Sequence, residues 1–130
     1  MIKNKKLLKA TLITIFIAPS LLAQTISEKG IATVELTGRA CSGGSPTDKK
    51  VQLKAVEMAK LSAWNKYTSQ LSGERSSAYL KSEDSFLKEL DKYITDYVIL
   101  TSNCSKTDKS YSLTIRANIN EARVNNKLVT

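Results

Sequence analysis

Two stretches of this 130-residue chain alternate so strictly that they set its fold class. In residues 31–40, "IATVELTGRA", one side carries Ala32, Val34, Leu36, Gly38 and Ala40, and the other carries Thr33, Glu35, Thr37 and Arg39. In residues 111–119, "YSLTIRANI", Tyr111, Leu113, Ile115, Ala117 and Ile119 oppose Ser112, Thr114, Arg116 and Asn118. A period of two with a single apolar side marks a strand buried on one face only. Two such strands imply a mainly antiparallel sheet with one face covered and one face wet.

The cover lies between them. "CSGGSPTD", Cys41 to Asp48, joins turn chemistry to helix-start chemistry: Ser45 suits a cap, Pro46 the first helical position and Asp48 the first turn. From there to Gly73 the pattern is helical, with Val51, Ala55, Met58, Ala59, Ser62 and Tyr67 at steps of three and four and Val56, Trp64 and Leu71 widening the stripe. Ala55, Ala59 and Ala63 form a ridge of small residues, which lets a helix lie close against a sheet. Residues 72–84, "SGERSSAYLKSED", are polar and read as a connection. A second helix then carries Phe86, Leu87, Leu90, Tyr93 and Ile94 on one side. "DYVILTSN" is a strand and "CSKTDKS" the loop of a closing hairpin. The expected fold is α+β: a three-stranded, mainly antiparallel sheet with two helices on one face, in the order β-α-α-β-β. Residues 24–120 form one domain and 121–130 a polar C-terminal tail, which the pattern leaves open as a short terminal helix, a linker or a frayed end.

The first 23 residues have the parts of a secretory signal. "MIKNKKLLK" is basic, "ATLITIFIA" is a nine-residue apolar core, and Pro19-Ser20 precedes the small residue Ala23. Nine residues are too few for a spanning helix, which needs about 20. Gln24 stands where a lipid-anchored bacterial protein needs cysteine. The reading is therefore a periplasmic or secreted chain with no stable membrane anchor once the signal is cut. The formal charge of +8 falls with it: four of the 20 basic residues lie in the signal, so 20 − 4 = 16 remain against 12 acids, a net of +4. These charges are interspersed, which argues against a nucleic-acid partner. Cys41 and Cys104 are the only cysteines, an even count that in an exported chain implies a disulfide.

Catalytic chemistry finds little purchase. Histidine is absent, and with it the commonest general base and metal ligand. Ser85 and Lys88 match a serine–lysine nucleophile spacing by coincidence, on a helix face that reads as solvated. Gly38 and Gly43 have the gap of a phosphate loop, but Gly44 replaces its lysine. Asn103-Cys104-Ser105 fits a glycosylation acceptor in form only. No catalytic residue, metal site or cofactor is expected. Gly43, Gly44, Ser45 and Lys106 are candidates for contact with an anion or a partner, through free backbone N–H groups at a helix start and a nearby cation.

Taken together, "LTGRA", "KAVEMAKLSA", "YVIL" and "LTIRANI" resemble the N-terminal domain of flagellar assembly protein T and related small outer-membrane lipoproteins. The resemblance covers about residues 30–120 and rests on Gly38, Ala55, Ala59 and the strand ends. It implies an α+β module of the bacterial envelope that serves assembly rather than catalysis, with an envelope or flagellar protein as partner. The alternative reading of the residues is a small secreted inhibitor or a protein that binds an anion or another ligand.

Overall fold

A computed structural model describes residues 25–37, 41–42 and 44–129. The signal-like segment, Gly38, Arg39, Ala40 and Gly43 lie outside the described residues. The elements run β1 (Thr25–Glu35), β2 (Cys41–Ser42), β3 (Ser45–Pro46), α1 (Lys49–Ser69), α2 (Gly73–Lys88), α3 (Leu90–Tyr93), β4 (Ile94–Ser105), β5 (Ser110–Asn120) and α4 (Glu121–Leu128). The main sheet is antiparallel in the order β1-β5-β4, so β5 is central. Helices cover one of its faces. The expected α+β class, three antiparallel strands and one covered face are what the molecule has.

Alternation in β5 is complete: Tyr111, Leu113, Ile115, Ala117 and Ile119 are all buried against the helices. β1 starts earlier than the sequence pattern suggests, pairing with β5 from Thr25↔Asn120 to Glu35↔Ser110. Gly30 hides this extension, because its place on the buried side carries no apolar side chain. The space is taken by α1. A Cβ added at Gly30 would overlap the carbonyl oxygen of Ala59 and lie 2.9 Å from the nitrogen of Ala63. The alanine ridge therefore meets a glycine, and helix backbone rests on strand backbone.

α1 begins three residues later than Pro46. Ser45 does not cap it, because Ser45 and Pro46 pair as β3 with Ser42 and Cys41. Asp48 caps instead, its Oδ1 accepting from the Lys50 N–H at 2.9 Å. Met58 is exposed, since the buried stripe turns through Ala55, Val56, Ala59, Ala63, Trp64 and Tyr67.

The supposed connection over 72–84 is largely helical. α2 runs from Gly73, whose φ of +56° turns the chain, through a bend at Ser82. There Ser82 Oγ donates to the Ala78 carbonyl at 2.9 Å, a back-bond that bends helices. Polar composition concealed this helix because it buries little beyond Tyr79 and Phe86. Those two rings, with Tyr67 and Tyr93, surround the fully buried Trp64, with ring centroids 5.5–6.0 Å from it. Trp64 Nε1 donates to Tyr79 Oη at 2.9 Å, which satisfies the indole inside the core.

Residues 121–128 form a docked terminal helix, one of the forms open to the tail. Val124 is fully buried, and Asn120 Oδ1 caps the helix through the Arg123 N–H. Arg75 Nη2 lies 3.2 Å from Glu121 Oε2, 3.3 Å from Tyr67 Oη and 2.8 Å from Asn125 Oδ1, joining α1, α2 and α4. Tyr67 Oη in turn donates to Glu121 Oε2 at 3.1 Å.

Two outcomes follow. Strand propensity alone favours alanine over glycine by roughly 0.5–1 kcal/mol. Gly30→Ala should nonetheless destabilise, by about 1–3 kcal/mol, because helix and strand must separate to admit the methyl group; a denaturant melt that moves upward refutes the close contact. The second concerns alkali. Burial, and then the Glu121 carboxylate, push Tyr67 up to about 12 from 10.0, with Arg75 opposing. The fold prefers the neutral phenol, so this contribution is complete below pH 10 and is lost as pH rises through about 12. Tyr67→Phe should flatten the loss of stability across that window, as followed by melting temperature against pH.

Candidate functional site

Among the described residues, the face of the sheet away from the helices is bare, and its side chains lie in rows across the three strands. Ser27, Asn118 and Asp96 form one row: Ser27 Oγ donates to Asn118 Oδ1 at 2.8 Å, and Asn118 Nδ2 to Asp96 Oδ1 at 2.6 Å. The next holds Lys29, Arg116 and Val98. Beyond it come Ile31, Thr114 and Thr101, then Thr33, Ser112 and Asn103, where Thr33 Oγ1 and Ser112 Oγ share a hydrogen bond of 3.2 Å.

Lys29 and Arg116 are direct cross-strand partners and both are exposed. Neither is ion-paired with an acid among the described residues. Like charges placed opposite each other destabilise a sheet. Asp96 is the acid in the adjacent row, and its carboxylate is engaged by Asn118.

The two edges differ. Along β1, α1 leans over the edge, and Ser62 Oγ accepts from the Ile31 N–H at 3.1 Å. Along β4, β3 packs near the far end, where Cys104 is bonded to Cys41. The stretch before it carries four consecutive exposed apolar residues: Tyr97 (37%), Val98 (48%), Ile99 (44%) and Leu100 (36%). Asp96 is the one charged residue of β4. Register shifts at Ile94/Asp96 and Ile99/Thr101 bound the regular stretch. Beside it, Lys60 Nζ lies 5.1 Å from the centre of the Tyr97 ring and 3.3 Å from both Asp91 and Glu57. Burial acts to lower the Lys60 pKa, but the hydrogen bond to Asp91 and the attraction of Glu57 and Asp91 together raise it.

The residues singled out from the sequence sit at one end of the sheet. The Cys41–Cys104 disulfide forms with a Cα spacing of 5.8 Å, and it draws the β2–β3 hairpin alongside β4. Gly44, at φ +86°, makes the turn of that hairpin; Ser45 follows it in β3; Lys106 is exposed in the β4–β5 turn. Gly44, Ser45 and Lys106 share no hydrogen bond or ion pair, and Gly43 lies outside the described residues. The start of α1 lies four residues past Ser45 and is occupied by its own Asp48 carboxylate. Ser85 is half-buried, Lys88 is exposed, and no hydrogen bond joins them. Among the described residues no helix is long and apolar enough to cross a membrane.

Sequence reasoning missed the Lys29–Arg116 pair and the open β4 edge. The pair is invisible until the β1–β5 register is known. The edge had one signal, the uncharged run "YVIL" without a clean alternation.

The disulfide closes a 63-residue separation, for which loop-closure entropy gives about 4 kcal/mol. Replacing both cysteines by serine should cost roughly 2–4 kcal/mol with the fold retained. Thiol titration of the unreduced, denatured chain should find no free thiol; finding two would remove the bond from the account. Comparison with protein-family models, with curated proteins and with solved structures yields no match to this chain.

Proposed function

We propose that the protein is an exported, non-catalytic interaction module of the bacterial cell envelope, docking a protein partner through the bare sheet face and the free edge of β4. The observation that carries this is the exposed run Tyr97–Leu100 on an edge strand holding a single charge. Sheet proteins ordinarily blunt such edges with lysine, proline or a covering element, because bare strands invite pairing. β1 has its cover in α1 and Ser62; among the described residues β4 has over this stretch only the Lys60 side chain at the Tyr97 ring. Export is supported by the signal-like first 23 residues and by the disulfide, which persists in oxidising compartments. The absence of histidine from the chain supports binding over catalysis. The resemblance of residues 30–120 to the flagellar assembly module supports a role in assembly, at the flagellum or another envelope structure.

The test combines processing with proximity. Protein from the periplasmic fraction should begin at Gln24 by intact mass and carry no acyl group. A photocrosslinker at position 98 should yield a discrete envelope adduct that one at Glu74, on α2, does not, and Ile99→Lys in the same chain should abolish it. Retention of the first 23 residues, or adducts equal from both positions, would defeat the reading.

A further inference from the structure

We infer that the partner presents an extended segment in which acidic and apolar residues alternate, and that it adds to the edge of β4 as a fourth strand with its acids toward Lys29 and Arg116. This rests on the docking reading above and specifies the chemistry of what docks.

Strand addition follows from which edge is open. The β1 edge is leaned on by α1, with the Ile31 N–H taken by Ser62, whereas the Asp96–Ile99 stretch of β4 is regular and solvent-facing. The shift at Ile99/Thr101 ends that stretch, which limits addition to a short segment and disfavours indiscriminate stacking of long strands. An added strand turns alternate side chains to opposite faces, so the two faces of β4 dictate two chemistries. On the helical side, the incoming residues meet Tyr97 and Ile99, with Lys60 held over the Tyr97 ring and already paired to Glu57 and Asp91. That side takes apolar residues. On the bare side, the row reads Val98, Arg116, Lys29. An incoming residue in this row lies two strand spacings from β5, about 9.6 Å. A glutamate and an arginine span that distance between them, crossing above Val98. The repulsion between Lys29 and Arg116 in the free protein is relieved when the acid arrives, so the pair costs stability alone and favours the complex. Asp96, diagonal to Arg116 and hydrogen-bonded to Asn118, opposes the incoming acid.

The probe is a labelled, acetylated nine-residue peptide alternating glutamate with valine, set against the same peptide with lysine for glutamate. Both are titrated into the disulfide-bonded protein by fluorescence anisotropy at low salt. The glutamate peptide should bind and the lysine peptide should not. Lys29→Thr combined with Arg116→Thr should weaken binding about tenfold while melting stays level or rises. Asp96→Asn should tighten it by about two- to threefold, and Ile99→Lys should abolish it. Equal affinity for both peptides overturns the acid preference while the docking edge stands. Failure of both peptides overturns strand addition and, with an empty crosslink at position 98, the docking reading as well. Binding to phosphatidylglycerol vesicles through Lys29 and Arg116, with both peptides silent, reassigns the pair to a membrane anion and overturns the proposal.

Discussion

The fold depends on one place where two backbones nearly touch. Gly30 in β1 and the Ala55–Ala59–Ala63 ridge of α1 leave no room for a side chain between them, so the helix sits as low on the sheet as its own backbone allows. Every larger group is displaced from that line. Trp64 and Tyr67, farther round the helix, are carried toward the side where α2, α3 and α4 gather, and the aromatic cluster fills the wedge that opens there. A thin seam over β1 and a thick aromatic layer beside it are one arrangement. The same lean puts Ser62 within reach of the Ile31 N–H and so determines which edge of the sheet is closed.

The polar interactions are arranged to keep that wedge shut. The Trp64 indole is satisfied by Tyr79, and Arg75 gathers Glu121, Asn125 and the Tyr67 hydroxyl at the rim. Among the described residues no buried side-chain nitrogen or oxygen is left without a partner. An isolated surface ion pair adds little, but a guanidinium shared among several acceptors at a partly buried rim adds geometry as well as energy. It is this cluster that makes α4 part of the domain.

How much of this was legible depends on what kind of burial each residue has. β5 was readable residue by residue because its buried positions alternate without exception. The Ala55–Ala59–Ala63 ridge was readable as a close-approach surface, but not the glycine it approaches, because an absent side chain leaves no mark in an apolar pattern. The second helix was read from Phe86 onward, but the first part of α2 was missed because it packs through few apolar side chains and a polar remainder, so its stability comes from tertiary contact rather than from its own stripe. Ser45 was misplaced as a cap because it pairs with Ser42 in the short β2–β3 hairpin, which the long-range Cys41–Cys104 disulfide anchors beside β4, and so it sits in a strand. The bare face was implied by the polar sides of the first and last strands. Its charge pair was not, since Lys29 and Arg116 are 87 positions apart (116 − 29) and become neighbours through register alone.

The strand order has a bearing on how the molecule comes into being. β1 and β4 pair with β5 and not with each other, and β5 is made after both. During synthesis, the first two long strands emerge with no strand to pair with, and Cys41 emerges well before the cysteine it will join. Helix α1 has no finished sheet to rest on until Ser110–Asn120 has followed. Completion of the sheet is thus deferred to the last of its strands, so that the central strand, its two neighbours and the helical cover come together late, as one event.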